Sequence, residues 1–149
     1  MPFTELRASC FSRNNYLNMN PNIFREYDIR GIVGDHLTDE TVATLGRAIG
    51  YDARESSPGF CRLLTDGFTA SGLDVVLVGM VPTPVLYHTV YTRDVDGGVM
   101  ITGSHNPPDH NGFKICLGKA ALFGSQIQQI KDIAFSGAFM SGEGTTESI

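Results

Sequence analysis

Residues 75–102 read VVLVGMVPTPVLYHTVYTRDVDGGVMIT, which has the pattern of a strand, a helix and a second strand. The run at 75–78 is apolar without interruption, as in a strand covered on both faces of a parallel sheet. Thr83 and Pro84 suit the start of a helix whose apolar side chains recur at helical spacing. A second buried strand is expected at 98–102. Strands that alternate with helices in this way predict an α/β fold.

Further elements are predicted on both sides of this unit. A helix is expected from Ser57 to about Ser71, with Gly72 as its stop. After the turn signal at Asn111 and Gly112, alternating apolar residues predict a third strand around Phe113. A last helix carries Ile127, Ile130 and Ile133 at helical spacing.

Composition limits what the whole chain can be. Its 149 residues suit one domain, and its net charge of -5 provides no basic surface for nucleic acid. No apolar run approaches the roughly 18 residues that a membrane span needs. The three cysteines (Cys10, Cys61 and Cys116) are odd in number and far apart, which favours reduced thiols in a cytoplasmic protein. We expect an irregular arm at 1–21, a domain at 22–135 and a tail or linker at 136–149.

The segment TGSHNPP at 102–108 follows the strand at 98–102 and carries the clearest chemistry. In open α/β sheets, ligands bind outside the carboxyl ends of the strands. Gly103 allows a sharp turn there, and a serine on such a loop would be exposed and held in place. Ser104 therefore suits a phosphoryl-carrying nucleophile, but its hydroxyl needs a cation and a base nearby.

Lys114 is the candidate for that help. If the strand around Phe113 pairs antiparallel with the strand at 98–102, Lys114 lies about one strand spacing from the start of the serine loop. It would also point away from the face of Phe113. His105 could donate hydrogen bonds to phosphate oxygens. Spacing alone favours a different interpretation, in which the loop is a capped turn and Lys114 is a solvated charge.

Four segments, in order along the chain, resemble signatures of the α-D-phosphohexomutases, the family of phosphomannomutases and phosphoglucomutases. They are FREYDIRG at 24–31, YDARESSP at 51–58, GMVPTP at 79–84, and TGSHNP with NGFK at 102–107 and 111–114. Together they cover most of residues 22–134. The resemblance implies the first domain of that family, a three-layer α/β/α domain with a mixed, mostly parallel sheet.

The resemblance also implies the chemistry. Ser104 would be phosphorylated and would interconvert hexose 1-phosphate and hexose 6-phosphate through a bound hexose 1,6-bisphosphate. Arg30 matches a family arginine near the phosphoryl group, and either Arg30 or Lys114 would be the general acid or base. Because a guanidinium holds its proton far above neutral pH, Lys114 is the easier choice. The expected catalytic residues are Ser104, Lys114, Arg30 and His105, and the expected substrate-binding residues are Tyr27, Arg30, Asn106 and Lys114.

The resembled family has four domains, and only the first is matched here. The resemblance implies that three aspartates of the second domain bind Mg²⁺ together with the phosphate on Ser104, while the third and fourth domains contact the sugar. Without these domains II–IV, the chain alone is expected to lack useful turnover of a hexose phosphate. The alternative is a non-catalytic phosphosugar-binding or regulatory fragment. A serine hydrolase ranks last, because no G-x-S-x-G motif is present.

One departure from the family lies near residue 50. The side chains of Val42, Leu45 and Ile49 recur at helical spacing, which predicts a helix at 39–49. The family places a loop and a buried strand after this helix, whereas here Gly50 runs straight into Tyr51. We therefore expect that strand to be missing and the domain to be marginally stable. Asp52 and Arg54, which follow, are expected to form a structural ion pair or loop brace.

Overall fold

The computed structural model describes residues 21–32, 48–137 and 140–149. After a 3-10 turn at Pro21–Ile23, the described strands are β1 (Ile29–Ile32), β2 (Ala48–Tyr51), β3 (Val75–Met80), β4 (Gly97–Ile101), β5 (His110–Leu117), β6 (Ala120–Ala121) and β7 (Thr146–Ser148). The described helices are α1 (Ser57–Ala70), α2 (Thr83–Thr92) and α3 (Ser125–Ser136). The helices predicted around residues 57, 83 and 127 and the strands predicted around 75, 98 and 113 are thus confirmed.

These strands form one mixed sheet. Its order is β1-β5-β4-β2-β3-β7, with β6 paired to β5 beside this row. β2 pairs parallel with both β3 and β4, and β7 pairs parallel with β3. β5 pairs antiparallel with β1, β4 and β6, so it is the one reversed strand among those described. The prediction of a mixed, mostly parallel sheet is confirmed.

Helices cover both faces of the sheet, and each face has its own apolar cluster. On one face, Phe60 and Leu64 of α1 and Ile127 of α3 pack with sheet residues such as Phe113. On the other face, Leu86 and Val90 of α2 pack against Ala48, Val78 and Met100. Burying an apolar stripe of each helix against the sheet produces the predicted three layers.

The strand that we expected to be missing is present. β2 lies between β3 and β4, where Ala48 and Ile49 are fully buried. A strand that is paired on both sides can satisfy its neighbours' backbone groups with only four residues. The predicted helix at 39–49 is therefore wrong at its last two residues, and the rest of it lies outside the described residues. Because β3 and β4 keep a partner, the reason for expecting a marginally stable domain no longer holds.

The segment that we expected to be a frayed tail or linker contributes to the sheet. Thr146 pairs with Val75 at the start of β3, which makes β7 an edge strand. The carboxylate of Asp74 accepts hydrogen bonds from the backbone N–H (2.8 Å) and the hydroxyl (2.7 Å) of Thr145. All three residues of β7 are exposed, so this strand has no buried face to give an alternating pattern.

Two expectations from composition concern cysteines and membranes. Cys61 and Cys116 are buried free thiols, while Cys10 lies outside the described residues. Burial raises the pKa of both thiols. In the described part of the chain, no helix combines the length and apolar character that a membrane span requires.

Candidate active site

Ser104 lies on the serine loop, residues 102–109, which leaves the carboxyl end of β4 and returns into β5. Its side chain is exposed, as the sequence predicts. Its backbone has φ +53°, and it is the one non-glycine residue with positive φ among the described residues. This left-handed conformation costs an L-residue about 1–2 kcal/mol. Contacts around the loop must therefore stabilise it.

Arg54 makes most of those contacts, and all five of its side-chain N–H groups are used. Nε donates to a carboxylate oxygen of Asp52 at 3.2 Å. The two terminal nitrogens donate to four backbone carbonyls of the loop and its return, those of Pro107 (2.7 Å), Asn106 (2.9 Å), His110 (3.0 Å) and Ser104 (3.2 Å). We call this group of contacts the Arg54 brace. The expected ion pair and loop brace of Asp52 and Arg54 is confirmed.

Asp52 connects the Arg54 brace to helix α1 and to the loop backbone. One carboxylate oxygen accepts hydrogen bonds from the Ser57 hydroxyl (2.7 Å) and the backbone N–H of Arg54 (3.1 Å). The other accepts from the backbone N–H of Gly103 (3.2 Å). Burial acts to raise the pKa of Asp52, but hydrogen bonds from Ser57, Arg54, Thr102 and Gly103 together lower it below the ordinary value.

This lowered pKa predicts a loss of stability in acid. A carboxylate with a depressed folded-state pKa stabilises the fold above its unfolded pKa of about 3.9, and this contribution disappears as pH falls through the folded value. We expect Asp52→Asn to lose less of its free energy of unfolding than the wild type does below about pH 4. Urea unfolding at several pH values measures this, with Asp66→Asn on the exposed face of α1 as control. Parallel acid profiles for wild type and Asp52→Asn would contradict the prediction.

Two asparagines fix the ends of the serine loop. The buried Asn111 donates from Nδ2 to the hydroxyls of Ser56 (2.8 Å) and Ser57 (3.0 Å), and its Oδ1 accepts from the N–H of Gly112 (2.8 Å). Asn106 donates from its backbone N–H (3.0 Å) and from Nδ2 (2.7 Å) to the carbonyl of Gly103. Asn111 therefore ties the start of α1 to the return of the loop, while Asn106 closes a turn within the loop.

Lys114 occupies the predicted register. It pairs with Met100 across the antiparallel β4–β5 ladder, and its side chain is half-buried. Its Nζ lies 3.7 Å from the carboxylate of the buried Asp28. This ion pair argues against the interpretation of Lys114 as a solvated charge. Sequence reasoning missed Asp28 as its partner, although an acidic residue between Tyr27 and Ile29 at the start of a strand is a signal for such a pair.

The predicted site residues fall into two groups. Lys114 and the exposed Tyr27 line a pocket of about 350 Å³ together with Tyr87 and Phe123. Ser104, His105 and Asn106 lie on the serine loop, where His105 is exposed. In the part of the chain that the structure describes, no hydrogen bond or ion pair joins Lys114 to Ser104.

Arg30 completes the predicted set. Its backbone pairs with Gly112 in the β1–β5 ladder, which places it one strand away from the return of the serine loop. Its side chain lies outside the described part of the structure. The contact of this arginine with a phosphoryl group therefore stays a prediction.

The chain is similar to a family of sugar-phosphate enzymes over most of its length. The family model for phosphoglucomutase/phosphomannomutase, alpha/beta/alpha domain I, matches residues 48–141, from the first residue of β2 to beyond α3, and so includes the serine loop. A phosphomannomutase/phosphoglucomutase from Pseudomonas aeruginosa is 44% identical over 86% of this chain, and a phosphoglucomutase from Neisseria meningitidis is 44% identical over 85%. The crystal structure of a phosphoglucomutase/phosphomannomutase family protein from Burkholderia thailandensis superimposes with a TM-score of 0.82 at 38% identity, covering 87% of this chain.

The chain corresponds to one part of these longer proteins. It spans 31% of the Pseudomonas relative, 30% of the Neisseria relative and 33% of the Burkholderia chain. The alignment with the Pseudomonas protein runs over 142 positions but takes up 86% of these 149 residues, so the relative has additional residues within the aligned range. With the fold, the motif order and these similarities in agreement, the chain belongs to the phosphoglucomutase/phosphomannomutase family and represents its α/β/α domain I.

Proposed function

We propose that Ser104 is the residue that carries the phosphoryl group in a phosphohexomutase reaction. The observation that supports this most directly is an exposed serine in a left-handed backbone conformation at the carboxyl end of β4. A fixed, exposed hydroxyl suits an atom that must accept and release a phosphoryl group. Its place within the segment matched by the family model adds support.

The proposed reaction has two phosphoryl transfers. In the first, the bond between phosphorus and Ser104 Oγ breaks, and a new bond forms between phosphorus and a hydroxyl oxygen of a hexose phosphate. The proton of that hydroxyl passes to a general base, for which Lys114 and Arg30 in their neutral forms are the candidates, and the Ser104 oxygen takes up a proton as it is released. The resulting hexose 1,6-bisphosphate then returns its other phosphoryl group to Ser104, and the product is the isomeric hexose phosphate.

The other predicted residues take supporting roles in this proposal. Lys114 Nζ lies beside the carboxylate of Asp28, which gives this nitrogen a defined position from which to contact substrate oxygens. Tyr27 lines the same pocket as Lys114 and would contact the substrate. Asn106 would contact the substrate from the serine loop, and His105 would donate a hydrogen bond to phosphate.

The Mg²⁺ that the family resemblance implies needs ligands beyond those described here. Among the described residues, no group of three His, Cys, Asp or Glu side chains is placed to hold a metal ion. Asp52, beside the loop, already accepts hydrogen bonds on both carboxylate oxygens. The described residues therefore do not fit a Mg²⁺ site by themselves.

The remaining parts of the proposal concern partners and location. Because the chain spans about a third of its relatives, we expect domains of a longer protein to supply the rest of the site. The substrate partner is a hexose phosphate, and neither nucleic acid nor a membrane is expected to bind. The free thiols of Cys61 and Cys116 support a cytoplasmic location.

Phosphopeptide mass spectrometry tests the proposal. After incubation with glucose 1,6-bisphosphate and Mg²⁺, we expect the wild-type chain to carry phosphate on Ser104. Ser104→Ala should show no label in this peptide, because the accepting oxygen is gone. Ser125→Ala, the same change at an exposed serine of α3, should be labelled on Ser104 like the wild type. With glucose 1-phosphate added, the chain alone should show no steady-state conversion to glucose 6-phosphate.

One result would count against the proposed role of Ser104, and a second would count against the expected inactivity of the chain alone. A folded wild-type chain that binds the bisphosphate but never becomes labelled would support the non-catalytic phosphosugar-binding alternative. Robust steady-state conversion by the isolated chain would contradict the expectation that domains of a longer protein supply the rest of the site.

A further inference from the structure

We propose that Arg54 is a positioning residue for Ser104, an inference that rests on the proposed function of that serine. In this role, Arg54 holds Ser104 in its left-handed conformation and so aims the hydroxyl toward the substrate. Arg54 contacts backbone carbonyls and Asp52, so its effect acts through the shape of the serine loop.

The peptide groups on both sides of Ser104 are held. Its backbone N–H donates to the hydroxyl oxygen of Thr102 at 2.9 Å, and its carbonyl accepts from Arg54 at 3.2 Å. The Thr102 hydroxyl in turn hydrogen-bonds the carboxylate of Asp52, which also binds Nε of Arg54. Both hydrogen bonds of the Ser104 backbone are therefore connected to the ion pair of Asp52 and Arg54, one through the Thr102 hydroxyl and one directly.

The geometry requires an arginine. Four carbonyls and one carboxylate surround the guanidinium, and its five N–H donors lie in one planar fork that can reach all of them. A lysine has three donors on a single nitrogen and cannot reach five separated acceptors. The side chain of Arg54 is 16% exposed, so water has limited access to replace these bonds.

Gly103 supplies the space for this guanidinium. A Cβ atom built on Gly103 would overlap the Cζ, Nε and Nη2 atoms of Arg54. The bare backbone of Gly103 and the planar side chain of Arg54 therefore fit against each other immediately beside Ser104. This contact separates Arg54 from an ordinary surface arginine such as Arg62, which is exposed on α1.

The rate of Ser104 labelling by glucose 1,6-bisphosphate tests the inference, measured as a function of bisphosphate concentration. In Arg54→Ala we expect the maximal rate to fall by about 10- to 100-fold, since a misplaced nucleophile loses rate on this scale. The half-saturating concentration should stay within about twofold of wild type, because Arg54 does not contact the substrate in this proposal. Free methylguanidinium should restore part of the maximal rate in Arg54→Ala. The matched control Arg62→Ala should label like the wild type.

Amide hydrogen exchange gives a second readout that does not depend on phosphoryl transfer. In Arg54→Ala, the amides of Ser104 and Asn106 should exchange faster, while that of Val99 in β4 should keep its protection. Should this variant unfold, Arg54→Lys keeps a cation beside Asp52 and is expected to show the same loss of maximal rate. A lysine variant that labels at the wild-type rate would overturn the inference.

The outcomes separate the two proposals. If the folded wild-type chain is never labelled on Ser104, the proposed function fails and the role of Arg54 fails with it. If the wild type is labelled and Arg54→Ala matches its maximal rate, the role of Arg54 is overturned while that of Ser104 stands. A raised half-saturating concentration with an unchanged maximal rate would also overturn it, because that result indicates substrate binding instead of positioning.

Discussion

Replacing Ile49 by alanine should lower the free energy of unfolding by about 2–5 kcal/mol, the range for truncating a fully buried isoleucine. Ile49 is completely buried in β2, the strand that lies between β3 and β4 at the centre of the sheet. Its side chain belongs to the cluster beneath α1 and α3, where the missing methyl groups would leave a cavity. Urea unfolding followed by circular dichroism measures the change.

The same substitution at an exposed site provides the control. Ile133 lies on α3 with 54% of its surface exposed. Ile133→Ala should therefore change the free energy of unfolding by no more than about 0.5 kcal/mol. If Ile49→Ala cost no more than Ile133→Ala, residues 48–51 could not be a buried central strand.

At Gly103, alanine should lower the free energy of unfolding by about 1–3 kcal/mol, the usual cost of overfilling a packed site. The added methyl group would overlap the guanidinium of Arg54. Arg54 could move aside only by giving up hydrogen bonds to the loop carbonyls, so the change should also slow the labelling of Ser104. Urea unfolding and labelling by glucose 1,6-bisphosphate measure the two effects.

Gly59→Ala is the control, and it should change the free energy of unfolding in the opposite direction. It lies in α1, and a Cβ atom there would meet nothing within 4 Å. Because alanine favours a helix more than glycine does, Gly59→Ala should raise the free energy of unfolding by up to about 1 kcal/mol. Equal effects of the two alanine substitutions would show that Gly103 is not packed against Arg54.

Long apolar patterns made most of the fold predictable. The run at 75–78 identifies β3 because its uninterrupted apolar side chains pack on both faces of the sheet. The helical spacing after Thr83 identifies α2, in which Leu86, Thr89 and Val90 are buried. β2 escaped prediction because it offers only Ala48, Ile49, Gly50 and Tyr51, and because Ile49 also continues a helical spacing from Val42. Pairing on both sides, which is a property of the sheet, makes this short segment a strand.

The site was predictable where it depends on local sequence. The register of Lys114 follows from alternation along β5, and the structure confirms it. The turn predicted at Asn111 and Gly112 is wrong, because both residues lie within β5. The wider contacts of Arg54 could not be predicted. They join residues at least 50 positions apart in the chain and end on backbone carbonyls, which any residue type provides. The sequence could therefore indicate the ion pair of Arg54 with Asp52 but not the hydrogen bonds from Arg54 to the loop carbonyls.

The contacts that fix the serine loop all come from the chain itself. Backbone amides of Gly103, Ser104 and Asn106 donate within this network, and Arg54 binds three carbonyls of the loop and a fourth at its return. Conformational entropy is thus lost when the domain folds, before the hexose phosphate of the proposed function binds. Because the loop backbone is already ordered, binding of that ligand loses little further conformational entropy. More of the attraction between phosphate and protein then remains as affinity.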